Sequence, residues 1–184
     1  GRTVKVLQVP GCAYIDMMAP MDPLLDGRCH RMAQASMQVV LEQARAGDVV
    51  FLPSLRLPRL IALGGARRQP VHASKQDSGD VYALTAEELA SIKKAAHDAP
   101  RWFAPFLEAG LHVVFELPKP LLQAHPFRCV DWFNRHNPDC AGGLTERQAD
   151  QKRYREPVVQ AIRALVAAHP GASAWDPFPV LCNE

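Results

Sequence analysis

No run of about 18 apolar residues occurs in the 184-residue chain, so no helix is expected to span a bilayer. No secretory leader pattern is present, and the chain opens on Gly1 rather than Met, which reads as a processed product or an excised piece. Excess charge is small: 21 Lys and Arg face 19 Asp and Glu, a formal +2. That near-balance argues against nucleic acid or an anionic membrane surface as the partner. Glycine is scarcer than proline, 11 against 16, which excludes a collagen and implies many fixed loop conformations. Three common signatures are missing: GxGxxG, GxxxxGK followed by Ser or Thr, and GxSxG. Their absence leaves no dinucleotide fingerprint, no phosphate-binding loop and no nucleophile elbow. No HExxH or DxxH spacing occurs either. No cofactor and no metal are expected.

At 48% hydrophobic the chain can bury a single substantial core, and one domain over 1–184 is expected. Its five cysteines are Cys12, Cys29, Cys129, Cys140 and Cys182. The first four fall in two short stretches rich in Pro, Asp, Gly or Asn, which reads as two local disulfides, Cys12–Cys29 and Cys129–Cys140. Each would stabilise by about 3 kcal/mol through loop entropy and would place the chain in an oxidising compartment. Two other readings stand beside this one. Cys129, His136 and Cys140, with His125, could hold zinc, although the spacing matches no standard finger or ribbon. All five thiols could also be reduced and buried. Cys182 is left over, and in an oxidised protein it needs a partner; the simplest lies beyond Glu184.

The apolar patterning alternates between strand and helix. Thr3–Val9, Asp48–Leu52 and Leu111–Leu117 are short, apolar and β-branched, as in a parallel sheet covered on both faces. Each stops at a proline, Pro10, Pro53 or Pro118, which has no N–H for the ladder. A helix is expected over His30–Ala46, stopped by Gly47. Another is expected over Thr85–Ala109, opened by a Thr85/Glu88 capping box and broken or kinked by Pro100 and Pro105. Thr145 and Gln148 are candidate caps for a further stretch, with Pro157 restarting a firmer run over Val158–Ala168. Ala172–Trp175 reads as a short strand, and the polar stretch 66–80 as a loop or flap. This order predicts a three-layer α/β sandwich with ligands at the carboxyl ends of the strands.

Candidate chemistry gathers after the strands. Gly11 could offer a backbone N–H to a reacting oxygen or simply make a turn. Arg56 and Arg59 could fix a carboxylate, phosphate or oxyanion or stay solvated. Ser54 could be a nucleophile only beside a histidine base; otherwise it caps. His30, His97 and His112 fall in helix or strand patterns, and His72, His125, His136 and His169 in loops. Asp131 and His136 form a possible local pair. Trp102, Phe103, Phe106, Trp132 and Phe133 are expected to pack, with sugar stacking as the alternative for Trp132.

The runs VKVLQVPGC, CHRMAQ, AGDVVFLPSLR, EAGLHVVFELPKP, RCVDWF and FPVLC, in that order, cover most of the chain. Together they resemble the SGNH-hydrolase-like domain that follows the membrane domain of bacterial acyltransferase-3 O-acetyltransferases, which modify surface polysaccharides such as lipopolysaccharide O-antigen. The resemblance implies a flavodoxin-like three-layer α/β/α sandwich with a mainly parallel sheet, incomplete at both ends. It implies an oxyanion-hole role for the Gly11 N–H, with Arg56 where the family normally carries asparagine. Ser54, Arg59 and Trp132 become candidate substrate contacts. The family's GDS(H) serine loop and late DxxH are absent and are expected before Gly1 and after Glu184, so this chain alone should be inactive. The implied partners are an acyl donor, a polysaccharide acceptor and the membrane acyltransferase domain of the same polypeptide. The implied setting is the periplasmic side of an inner membrane. A carbohydrate O-acetyl esterase and a non-catalytic periplasmic carbohydrate-binding domain are the alternatives.

Overall fold

The computed structural model describes residues 3–7, 26–53, 83–120, 129–134, 136–137, 140 and 145–182. In chain order these give α1 (Asp26–Gln43), β1 (Val49–Leu52), α2 (Ala86–Asp98), α3 (Pro100–Glu108) and β2 (His112–Glu116). A 3-10 turn (Trp132–Asn134), α4 (Gln148–Ala168), β3 (Ala172–Trp175) and α5 (Phe178–Leu181) follow. The fold is mixed α/β.

The three strands form one parallel sheet in the order β1-β2-β3. Residues in register share a face, because side chains alternate along each strand. Phe51 aligns with Val114, Val114 with Ser173, and Glu116 with Trp175, so these share one face. Leu52, Val113 and Phe115 point to the other face, where they are buried. There they meet α3 and α4: Phe103 packs edge-to-face on Phe115 with centroids 5.2 Å apart, and Phe106, Val158 and Ile162 belong to the same core. Each such side chain contributes about 1.5–3 kcal/mol on removal from water.

Proline and glycine set the helix boundaries. Pro100 cannot donate to Ala96, so the expected long helix divides there, and Pro100 takes the first position of α3, where its missing N–H costs nothing. Pro105 is accommodated inside α3. The capping box at α2 forms: Thr85 Oγ1 accepts from the Glu88 N–H at 3.1 Å, and the Thr85 N–H donates to Glu88 Oε2 at 2.7 Å. α3 closes on a left-handed Gly110, φ 77°. Its N–H donates to Leu107 O, and Leu111 N–H donates to Phe106 O, each at 2.9 Å, the paired bonds of a Schellman ending.

Three expectations are corrected. The sheet does not include Thr3–Leu7, and Val4 and Val6 there are 84% and 77% exposed. β-branched alternation marks a segment able to pair but supplies no partner; among the described residues its side-chain tie is Lys5 Nζ to Gln43 Oε1. α1 begins before His30 and ends at Gln43, because Asp48 takes over the turn: its Oδ2 accepts from Arg45 N–H at 2.8 Å. α4 runs unbroken through Pro157 and starts after Arg147, not at Thr145, since packing of Val158, Val159 and Ile162 outweighs one lost backbone bond. The sequence reading also missed α5. The stretch 66–80 lies outside the described residues.

Candidate functional site

Parallel strands place all their carboxyl ends on one edge of the sheet. β1 ends there at Leu52–Pro53, β2 at Glu116–Pro118 and β3 at Trp175–Pro177. The sequence following each strand carries most of the candidate residues. Gly11, Cys12, Ser54, Arg56 and Arg59 lie outside the described residues, so no distance joins them to this edge.

Two charged clusters stand at the edge. Glu116 is buried and pairs with Lys119 Nζ at 3.1 Å. Arg155, 7% exposed on α4, forks onto Asp176 just past β3. Asp176 Oδ1 also accepts from the Phe178 N–H at 3.0 Å, which starts α5. The Arg155 guanidinium covers the Phe178 ring at 4.5 Å. Its Nε is buried without a hydrogen-bond partner among the described residues. This arrangement ties the end of β3 to the side of α4. The sequence reading missed it, and no local signal marks it, since the two residues belong to different elements.

The connection from β2 to α4 holds the disulfide Cys129–Cys140, with Cα atoms 5.4 Å apart. That bond uses both thiolates a zinc site would need, and no metal-ligand cluster is found among the described residues. Cys29 is also disulfide-bonded; the expected pairing with Cys12 lies outside the described residues. Cys182 is a free thiol and half-buried.

Inside the stapled loop, successive i to i+3 backbone bonds run from Asn134 to Asp131, Asn137 to Asn134 and Cys140 to Asn137. This short-range winding projects Trp132 and Phe133 outward, 74% and 64% exposed. The expectation that these two rings pack into the core is therefore corrected: a closed loop has too few neighbours to bury them. They contact one another edge-to-face, with centroids 6.0 Å apart and planes at 87°. Trp102, Phe103 and Phe106 are buried as expected. No hydrogen bond joins the side chains of Asp131 and His136, and His136 is exposed.

Two of the described histidines pack against aromatic rings. His30 meets the Trp102 ring edge-on at 5.0 Å. His169 closes α4: its Nδ1 lies 2.7 Å from Leu165 O, so that nitrogen carries the proton, and its ring meets Phe103 at 5.0 Å. His97 and His112 lie on α2 and β2, and His72 and His125 lie outside the described residues.

Comparison with protein-family models, with curated proteins and with solved structures gave no match.

Proposed function

We propose that these residues are the middle of an α/β ester-chemistry module that moves an acetyl group onto a sugar hydroxyl of a bacterial surface polysaccharide such as O-antigen. The observation that carries this reading is the all-parallel order β1-β2-β3, which delivers three strand ends to one edge. An open parallel sheet binds its ligands there. The apolar side chains of Val49, Phe51 and Trp175 on the outer sheet face support a second helical layer and hence a three-layer sandwich. The Cys129–Cys140 disulfide supports an oxidising setting, such as the periplasmic side of an inner membrane.

In this mechanism the nucleophilic serine and the DxxH pair come from sequence flanking the 184 residues. The serine hydroxyl attacks the carbonyl carbon of the acyl donor while the histidine takes its proton. The oxyanion would rest on backbone N–H groups, including that of Gly11, and Arg56 would supply positive charge. Collapse expels the donor's leaving group, which takes the proton from histidine. The sugar hydroxyl then attacks the acyl-serine as its proton passes to histidine, and histidine hands that proton to the departing serine oxygen. Arg59 and Ser54 would contact the substrate. The membrane acyltransferase domain of the same polypeptide would present the donor.

Two measurements test this. The flanking reading frame should encode a GDS serine upstream and a DxxH downstream. The natural protein, given an acetyl donor and de-acetylated polysaccharide, should produce acetylated sugar. Free acetate without acetyl-sugar would instead establish an esterase. Turnover by the 184 residues alone, abolished by Ser54→Ala, would overturn the external serine and make Ser54 the nucleophile.

A carbohydrate-binding role without catalysis is the second reading, and the outward Trp132 and Phe133 rings favour it.

A further inference from the structure

The loop between β2 and α4 presents three apolar side chains to water: Val130 at 70%, Trp132 at 74% and Phe133 at 64% exposure. Apolar side chains scattered singly on a surface need no explanation, but a contiguous group of them marks a contact site. This group sits on a covalently closed frame, Cys129–Cys140, with its own i to i+3 backbone bonds. A frame of that kind holds the rings in place before any ligand arrives, which lowers the entropy lost on binding.

We infer that Trp132 and Phe133 form a stacking subsite for a pyranose ring of a glycan. In an edge-to-face pair one ring uses only its rim, so both of its faces stay clear of the partner. A flat aromatic face matches the axial C–H side of a pyranose, which is apolar, whereas the sugar's hydroxyls project around the ring. Groups able to meet those hydroxyls lie in the same short stretch: the Asp131 carboxylate, the Asn134 amide and the His136 imidazole. A bilayer would suit this loop less well. The sequence 129–140 carries two aspartates against one arginine, a net negative charge that an anionic headgroup layer repels. The choice of a bacterial surface glycan as probe rests on the acetyl-transfer reading; the stacking site itself does not.

The test uses the natural full-length protein and purified O-polysaccharide, freed of lipid, from the same organism, with affinity measured by titration calorimetry. Trp132→Ala should weaken binding at least tenfold and Phe133→Ala severalfold, while Trp132→Phe should retain part of the affinity. Both residues are exposed, so unchanged circular dichroism and melting temperature should accompany the losses. Equal affinity in wild type and Trp132→Ala, or no binding by wild type, overturns the subsite. So does loss, in Trp132→Ala, of binding to phosphatidylglycerol vesicles with glycan affinity intact, which would make the loop a membrane anchor. Acetyl transfer by the wild-type protein from p-nitrophenyl acetate to the de-acetylated polysaccharide is measured alongside. Trp132-dependent glycan binding without any acetyl-sugar formed removes the acetyl-transfer reading and leaves the subsite. Acetyl-sugar formation with Trp132-independent binding does the reverse.

Discussion

Arg155 and Asp176 meet in a two-pronged ion pair, Nη2 to Oδ1 at 2.6 Å and Nη1 to Oδ2 at 3.2 Å. The arginine side chain is 9% exposed and the aspartate 26%, so the pair is shielded without being sealed. Removing one partner leaves the other with poor hydration, which costs more than an exposed ion pair is worth. Arg155→Ala should therefore destabilise the fold by about 2 kcal/mol, below the range for fully buried pairs because Asp176 keeps some water. Asp176→Asn keeps an acceptor for the Phe178 N–H and should lose about half as much. Urea melts with unchanged slopes would measure both. An Arg155→Ala melt superimposed on wild type would show that the pair contributes nothing.

Two left-handed glycines stand just ahead of neighbouring strands, and they differ in their surroundings. Gly47 has φ 90° with no atom within 4 Å of an added Cβ, whereas at Gly110, φ 77°, that Cβ would lie 3.1 Å from the Ala46 Cβ. Both positions strain any residue with a side chain, by about 1–2 kcal/mol. Only Gly110→Ala also pushes against a neighbour, and the contact lies beside the Gly47 N–H to Gly110 O bond of 2.8 Å that links the approaches to β1 and β2. Gly110→Ala should thus melt below Gly47→Ala. Equal melting temperatures would mean that the loop around Ala46 yields freely.

Thr85 and Glu88 satisfy each other's backbone N–H at the start of α2. Thr85→Ala should cost about 1 kcal/mol. Since the two bonds are reciprocal, the double variant Thr85→Ala, Glu88→Ala should cost less than the sum of the singles. Additive losses would indicate that each bond forms independently of the other.

Much of the fold was legible because it is written locally. β1, β2 and β3 stand out as short apolar runs ended by proline or its neighbour, and the Thr85 capping box and the break at Pro100 are rules about adjacent residues. The failures are of another kind. Thr3–Leu7 has strand composition, yet pairing depends on a neighbour that composition does not name. Trp132 and Phe133 look like core residues by type alone. Their exposure follows from the short disulfide loop that carries them, and size and hydrophobicity do not encode it. Arg155 and Asp176 are 21 residues apart, and only the packing of α4 against β3 brings them together. The shared carboxyl edge of the parallel strands was legible from their order. The charged fork past β3 and the outward aromatic pair of the 129–140 loop became visible only in three dimensions.

The Cys129–Cys140 bond closes a loop separated by 11 residues, whose described backbone bonds are three i to i+3 contacts. Such contacts are weak alone, and a single turn of this kind frays in water. The disulfide should therefore hold the loop's conformation while contributing little to the core, because Val113 and Phe115 of β2 are buried among residues of α3 and α4. The variant Cys129→Ser, Cys140→Ser should lose amide hydrogen-exchange protection at Asn134, Asn137 and position 140, while the amides of Val113–Phe115 stay protected. Global stability should fall by no more than the loop-entropy limit of about 3 kcal/mol. If protection in β2 collapsed together with the loop, the stapled segment would be part of the folding core, and its rings could not serve as an independent platform.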